Sequence, residues 1–157
     1  QLAELREANP KLRFYGMKAD MENMTDVKEF AKFSLRCRGS ADVLVNNAGN
    51  AHGLESISEG NIADWDAMMD GNVKGLLYVS QPIIKIMKAR NTGHIINISS
   101  VAARQTYANG VVYCASKRAV DVISEGMRLE LTEFGIKVTN IQPGAVETDF
   151  SKVRFNI

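Results

Sequence analysis

Short runs rich in valine and isoleucine alternate along this chain with longer segments of helical periodicity, and this alternation limits the possible folds most strongly. The runs are LRFYGMKAD, DVLVN, GHIINISS and IKVTNIQ, which end at Asp20, Asn46, Ser100 and Gln142. Parallel strands need long, usually helical connections, and strands buried on both faces are almost continuously apolar. The sequence therefore predicts an α/β protein whose parallel sheet is covered by helices on both faces.

Three long helices are predicted between these strands from capping residues and periodicity. Thr25 is the expected N-cap of the first helix, which should end at Gly39. The second is expected over residues 61–88, with Pro82 bending it, and the third over residues 112–134. Each is long enough to cross from one parallel strand to the next.

Polar and glycine-containing motifs follow the predicted strands. They are Asp20, NNAG at 46–49, Ser99–Ser100 and PGAVET at 143–148. In open α/β sheets, ligands bind beyond the carboxyl ends of the strands. The four motifs therefore predict a single binding crevice.

The stretch YCASK places Tyr113 and Lys117 four residues apart, so a helix brings them to the same side. A nearby cation favours the phenolate and lowers the pKa of a tyrosine, which suits the tyrosine for acid–base catalysis. Such a pair also occurs on solvated helix faces with no function. Asparagine is a poor helix former, so Asn72 in the middle of a predicted helix indicates a local use for its side chain.

The composition excludes several other classes of function. Nineteen basic and eighteen acidic residues give a formal charge of +1, so nothing indicates binding to nucleic acid or to a membrane surface. Cys37 and Cys114 have no metal-like spacing, and we expect no metal site. No apolar run has transmembrane length, and no signal peptide is recognisable. These features predict a cytoplasmic protein.

Together these motifs resemble the short-chain dehydrogenase/reductase family, whose fold is a Rossmann-type doubly wound sheet with three layers, α/β/α. NNAG, NVKG, HIINISS, YCASK and PGAVET stand in the family's order and at its spacing. The resemblance implies an oxidoreductase that transfers a hydride between a nicotinamide cofactor and a hydroxyl or carbonyl substrate, without a metal. The residues that normally select NADP or NAD are not recognisable here, so the choice stays open.

The resemblance also implies the catalytic roles. Tyr113 is the general acid/base, and Ser100 polarises the reacting carbonyl or carbinol. Lys117 holds the nicotinamide ribose and lowers the pKa of the tyrosine, while Asn72 anchors a water of the proton relay. Ser99 is the rival serine, but the spacing to Tyr113 favours Ser100.

The cofactor contacts implied by the resemblance lie at the strand ends. Besides Tyr113 and Lys117, they are Asp20 and Met21 at the adenine, Asn47, Ala48 and Gly49 along the adenosine and ribose, and Pro143, Gly144, Val146 and Thr148 at the nicotinamide carboxamide. Each has a purely structural alternative: Asp20 as a turn residue, NNAG as a tight turn, and Thr148 as a helix cap.

Within the family, TDFSKVRF after the Pro-Gly motif looks most like the branch that oxidises 3-hydroxy acids, including serine and allo-threonine. Ser100 and Tyr113 would contact the reacting carbon's oxygen. Arg154 is then a candidate anchor for the substrate carboxylate, because a guanidinium binds carboxylates bidentately. A solvent-facing arginine is the alternative. Reductases of 3-oxoacyl thioesters, sugars or secondary alcohols, and a non-catalytic binding protein, also stay open.

Family members begin with a strand and a glycine-rich turn that binds the cofactor pyrophosphate, and no Gly-x-x-x-Gly-x-Gly occurs in this sequence. We therefore expect residues 1–157 to be one catalytic domain that lacks its first βαβ unit and its C-terminal part. The strand ending at Asp20 would then pair with an absent strand, so the isolated chain should neither fold cooperatively nor be active. By the same resemblance, helices 61–88 and 112–134 should form a homodimer or homotetramer.

Overall fold

Three parallel strands form the centre of the computed structural model, which describes residues 2–146. They are β1 (Val43–Asn46), β2 (Gly93–Ile98) and β3 (Ile136–Ile141), in the order β1-β2-β3. The α/β class with a parallel sheet is therefore confirmed.

Five α-helices accompany the sheet in the described residues. They are α1 (Leu2–Ala8), α2 (Met24–Arg38), α3 (Ile62–Met69), α4 (Leu76–Arg90) and α5 (Val111–Leu131). A π-helical turn, Asp70–Gly75, joins α3 to α4, and 3₁₀ turns lie at Val101–Ala103 and Thr132–Phe134.

The start of α2 corrects the predicted cap. Asn23 is the N-cap, and its Oδ1 accepts hydrogen bonds from the Thr25 N–H at 2.8 Å and the Asp26 N–H at 3.4 Å. Thr25 is therefore inside the first turn, where its own N–H needs the cap. The predicted end is confirmed, because Gly39 takes the left-handed conformation (φ 73°) and closes the helix.

The long second helix is interrupted at a different place from the one predicted. The α-helix continues through Pro82 to Arg90, and the irregular segment is the π turn at Asp70–Gly75. Single π turns within helices often occur at functional sites, and this one contains the buried Asn72. Its last residue, Gly75, lies so close to the preceding loop that a Cβ there would be 3.2 Å from the main-chain oxygen of Met21.

The hydrophobic core lies on one side of the sheet. Leu44, Ile95 and Val138 pack there against helical residues from α2, α4 and α5, namely Val27, Val79, Ile83, Met87, Val120, Met127 and Leu131. On the opposite face, Val43 and Val45 are 55% and 54% exposed. The core of the described residues therefore joins α2, α4 and α5 to one face of the sheet.

An asparagine row crosses the carboxyl ends of the strands, where Asn46 pairs in register with Asn97, and Asn97 with Asn140. Asn46 Nδ2 donates to Asn97 Oδ1 at 2.8 Å and to Ser80 Oγ at 2.9 Å. Asn97 Nδ2 donates to Ser124 Oγ on α5 at 2.9 Å. These buried amides therefore connect the sheet to α4 and α5.

The strand predicted to end at Asp20 does not form. Residues 12–20 make no ladder with any other described segment, and β1 pairs only with β2 among the described strands. A groove of about 790 Å³ lies between the outer edge of β1, α2 and this segment, with Tyr15 and Phe33 in its lining. A strand exists only through hydrogen bonds to a neighbour, so an apolar run without a partner stays irregular.

Candidate active site

Four of the predicted site residues meet where β1 ends and α5 begins. A Cβ at Gly49 would lie 2.8 Å from Asn72 Oδ1 and 3.4 Å from Lys117 Nζ, so the loop after β1 approaches both side chains at a distance that favours glycine. Lys117 Nζ in turn lies 5.9 Å from the centre of the Tyr113 ring. The structure therefore brings the NNAG, NVKG and YCASK motifs together.

Lys117 is held inside the protein by α5. Its residue is 7% exposed, and Nζ donates a hydrogen bond of 3.1 Å to the main-chain oxygen of Ile98 at the end of β2. Burial lowers the pKa of Lys117, because the charged form is disfavoured away from water. A fixed ammonium group consequently lies beneath the strand ends, one helical turn from the tyrosine.

The side chain of Asn72 is fully committed as a donor. Its Nδ2 donates to the Asn50 carbonyl at 2.9 Å and to Ser116 Oγ at 3.0 Å, and its Oδ1 accepts from the Asn50 N–H at 2.7 Å. These bonds join the π turn to the loop after β1 and to α5. Asn72 therefore organises the site, and any water of the predicted relay would not be held by its amide hydrogens.

The two adjacent serines have different environments. Ser100 is half-buried and caps the 3₁₀ turn, where its Oγ accepts the Ala102 N–H at 3.1 Å. Within residues 2–146 its hydroxyl donates to no acceptor, so its hydrogen is available to a group outside this part of the chain. Ser99 is buried and donates to Asp121 Oδ1 at 2.6 Å. This arrangement favours Ser100 as the serine that contacts a substrate.

Tyr113 lies in the first turn of α5 and is 7% exposed. Its ring packs in a small apolar cluster with Ala51, Met68, Ala102 and Cys114. Packing therefore fixes the ring in place, as a proton-transfer group requires.

The predicted cofactor contacts are only partly brought together. Asp20 is exposed, and its Oδ1 accepts the Glu22 N–H at 2.9 Å. This hydrogen bond is typical of a turn residue, which was the structural alternative for Asp20. Met21, Asn47 and Ala48 line the groove beside β1. Met21, Asn47 and Ala48 are therefore placed together at one groove.

The segment after β3 is described as far as Val146. The Pro143 carbonyl accepts the Val101 N–H at 3.0 Å, which places the start of this segment next to Ser100. Gly144 follows it, and Val146 is exposed. Thr148 and Arg154 lie outside the described residues.

Sequence reasoning missed one buried charged residue, Asp121. Its carboxylate accepts hydrogen bonds from Ser99, Asn140 and Gln142. Burial by itself raises the pKa of Asp121, but these hydrogen bonds and Arg118 outweigh it, and the net pKa is lowered. A signal was available, because Asp121 follows Lys117 by four residues and therefore lies on the same side of α5.

Two absences concern residues 2–146 alone. No three side chains of histidine, cysteine, aspartate or glutamate are placed there to share a metal ion. None of the helices described there is both long and apolar enough to span a bilayer.

A family model described as short chain dehydrogenase matches residues 1–156. The chain belongs to the short-chain dehydrogenase family, as its motifs predicted. Among curated relatives, an NADP-dependent 3-hydroxy acid dehydrogenase of Salmonella typhi is 48% identical over 115 residues, which cover 73% of this chain and 46% of the relative. The Escherichia coli O6:H1 protein of the same name is 41% identical over 142 residues, or 90% of this chain and 57% of the relative.

Solved structures agree with this assignment. A closed form of serine dehydrogenase complexed with NADP+ superimposes with a TM-score of 0.89 at 38% identity, covering 98% of this chain and 63% of that one. An NAD+-bound xylitol dehydrogenase gives a TM-score of 0.88 at 26% identity, covering 94% of this chain and 56% of that one. The chain spans about half the length of the curated relatives it matches.

Proposed function

We propose that the protein containing this chain is an NADP-dependent dehydrogenase that oxidises the hydroxyl group of a 3-hydroxy acid such as serine. The observation that carries the proposal is the meeting of Gly49, Asn72 and Lys117 beside the buried ring of Tyr113. The names of the Salmonella and Escherichia relatives support the substrate class and the choice of NADP.

The residues present fit the nicotinamide and ribose part of such a cofactor. Gly49 leaves its main chain open beside Lys117 Nζ, a charged donor suited to ribose hydroxyls. When bound, the nicotinamide supplies the hydride acceptor. The glycine-rich turn that would hold a pyrophosphate does not occur in this sequence.

The chain's own residues move and hold the proton. Tyr113, as the phenolate, accepts the proton of the substrate hydroxyl while a hydride leaves the carbon that bears this hydroxyl. The hydroxy acid thereby becomes an oxo acid. Ser100 donates its hydroxyl hydrogen to the substrate oxygen and orients it. Lys117 favours the phenolate through its positive charge. Asn72 keeps the loop at Asn50 attached to α5, which preserves this geometry.

Arg154 would bind the substrate carboxylate and give the preference for acids over simple alcohols. A planar guanidinium forms two parallel hydrogen bonds with a carboxylate, which fixes the hydroxyl-bearing carbon near Ser100 and Tyr113. The hydrogen bond from the Val101 N–H to the Pro143 oxygen supports this, because it places Pro143, eleven residues before Arg154 in the sequence, next to Ser100.

A cytoplasmic homodimer or homotetramer is the assembly we propose. Exposed apolar residues on α5, with Leu129 85% and Val122 56% exposed, support an interface that uses this helix. Sedimentation of the purified protein measures the assembly, and a monomer at micromolar concentration would contradict it.

The test uses the full-length gene product with NADP+ and a panel of serine, other 3-hydroxy acids and uncharged secondary alcohols. We expect NADPH formation to be fastest with the 3-hydroxy acids. Tyr113→Phe should lower kcat by at least about a thousandfold while NADP+ still binds, because only the proton acceptor is lost. Oxidation by Tyr113→Phe at the wild-type rate would refute the mechanism. Cofactor binding without turnover of any alcohol would favour the non-catalytic alternative.

A further inference from the structure

Asp121 is a buried carboxylate that the chemistry proposed above does not use. It lies on α5, one turn beyond Lys117, and its side chain is 5% exposed. Two donors share its Oδ1 and one uses its Oδ2. The contacts are Ser99 Oγ at 2.6 Å, Asn140 Nδ2 at 2.7 Å, Gln142 Nε2 at 2.6 Å, and the more distant Arg118 guanidinium at 3.8 Å.

The donors come from the two strand ends that lead into the site. Ser99 immediately precedes Ser100 at the end of β2, and Gln142 immediately precedes Pro143 after β3. Two main-chain hydrogen bonds join the same strand ends. One runs from the Ser99 N–H to the Ile141 oxygen at 2.8 Å, and the other from the Val101 N–H to the Pro143 oxygen at 3.0 Å. One carboxylate therefore connects α5 to both segments.

Stability alone does not require a carboxylate at this position. Burying a charge costs desolvation free energy, and apolar side chains of similar volume often stabilise a fold equally well. Three short hydrogen bonds to an anion do, however, fix their donors in space, because charge-assisted bonds are short and strong. The contacts of Asp121 are therefore suited to holding position.

We propose that Asp121 is a positioning residue that fixes Ser100 and the Pro143–Gly144 segment relative to the helix of Tyr113. It acts through two separate arms. The Ser99 arm, which is the hydrogen bond from Ser99, positions the Ser100 hydroxyl that contacts the substrate oxygen. The Gln142 arm, which is the hydrogen bond from Gln142, positions the Pro143–Gly144 segment expected at the nicotinamide carboxamide. The inference rests on the proposed function, since it assigns these two consequences to that reaction.

The two arms can be separated by kinetics. Ser99→Ala should lower kcat about tenfold with little change in KM for NADP+, and Gln142→Ala should raise that KM about tenfold with a smaller effect on kcat. These factors are of the order expected for losing one hydrogen bond to a charged group. Asp121→Ala should show both changes. Glu29→Ala is the control, because Glu29 is a 45% exposed carboxylate on α2, outside the proposed interface, and should behave as wild type.

Conservative replacement distinguishes position from charge. Asp121→Asn keeps Oδ1, which can still accept from Ser99 and Asn140, so it should recover most of the kcat that Asp121→Ala loses. The pH at the midpoint of the kcat/KM profile should stay the same in both variants. Equal losses in the two variants, or a displaced midpoint, would refute positioning and indicate a direct electrostatic effect on Lys117.

Hydrogen exchange tests the same inference without activity. In Asp121→Ala, the amides of Ser99 and Val101 should exchange at least about tenfold faster than in wild type, since their acceptors lie on the released β3 segment. Glu29→Ala should leave these rates unchanged. Unchanged exchange in Asp121→Ala would refute the inference. Should Asp121→Ala not fold, Gln142→Ala carries the same measurement, and the Val101 amide should then exchange faster than in wild type.

The two proposals fail separately. A wild-type protein that oxidises no hydroxy acid, but whose Ser99 and Val101 amides exchange faster in Asp121→Ala, would refute the proposed function and support the positioning role. If the wild type is active, and Asp121→Ala changes neither the kinetics nor the exchange rates, the proposed function is supported and the positioning role is refuted.

Discussion

Replacing Lys117 by methionine removes a positive charge from the site while it retains a long apolar side chain. Nζ lies 5.9 Å from the centre of the Tyr113 ring. At about 6 Å and an effective dielectric constant of about 20, two unit charges interact by about 3 kcal/mol, which corresponds to about two pKa units. Loss of the cation should therefore raise the pKa of the tyrosine by about that amount.

The direction of the pH effect follows from the chemistry. Oxidation needs the phenolate, so kcat/KM rises with pH as Tyr113 loses its proton. In Lys117→Met this rise should move to higher pH by about two units, which costs about a hundredfold at any pH below the wild-type midpoint. Because burial lowers the pKa of Lys117, the wild-type enzyme also loses the cation at alkaline pH, where the two profiles should converge.

The assay is the pH dependence of NADPH formation between about pH 6 and pH 10, at saturating NADP+ so that a lost ribose contact does not contribute. Lys74→Met is the matched control. Lys74 is an exposed lysine of the π turn, paired with Asp70 at 2.6 Å, and its removal should not displace the profile. A uniform loss in Lys117→Met, with the midpoint unchanged, would refute the electrostatic reasoning and leave Lys117 as a ribose-binding residue.

Three further results are expected. Gly49→Ala should weaken NADP+ binding at least about tenfold, because its Cβ would lie 2.8 Å from Asn72 Oδ1, and unchanged affinity would contradict the close approach. Arg154→Met should raise KM for serine far more than KM for an uncharged alcohol, with Lys152→Met as the control, and equal effects would exclude Arg154 from the site. Because the pKa of Asp121 is lowered, its ionisation stabilises the fold above the unfolded value of about 4, and this contribution is lost as the pH falls through the lower folded value. Urea unfolding at about pH 7 and pH 3 should thus show a smaller acid-induced loss in Asp121→Asn than in wild type, and equal losses would contradict it.

Secondary structure was predicted correctly where the sequence pattern that indicates it lies within a single strand or helix. β2 and β3 formed at their valine- and isoleucine-rich runs, and the YCASK stretch formed a helix, since hydrophobic periodicity is a local property. The family prediction succeeded for the same reason, because its motifs are short and ordered. The residue roles inherited from the family stay predictions.

The failures arose where distant residues decide the outcome. Residues 12–20 are apolar enough for a strand but find no strand partner in the described part of the chain. Asp121 obtains its donors from residues 19 to 22 positions away, which no local pattern reveals. The π turn depends on how Asn72 reaches Asn50 and Ser116 across the structure.

The asparagine row has a consequence for how these strands choose their alignment. Sliding β1 against β2 by two residues would keep every side chain on its own face, but it would move Leu44 from Ile95 to Gly93 or Asn97. The same slide would separate Asn46 from Asn97 and leave the buried Asn97 Oδ1 without this hydrogen bond. The loss would destabilise the fold by about 1–3 kcal/mol. The buried amide pair and the apolar pair beside it therefore both disfavour the shifted alignment of the strands.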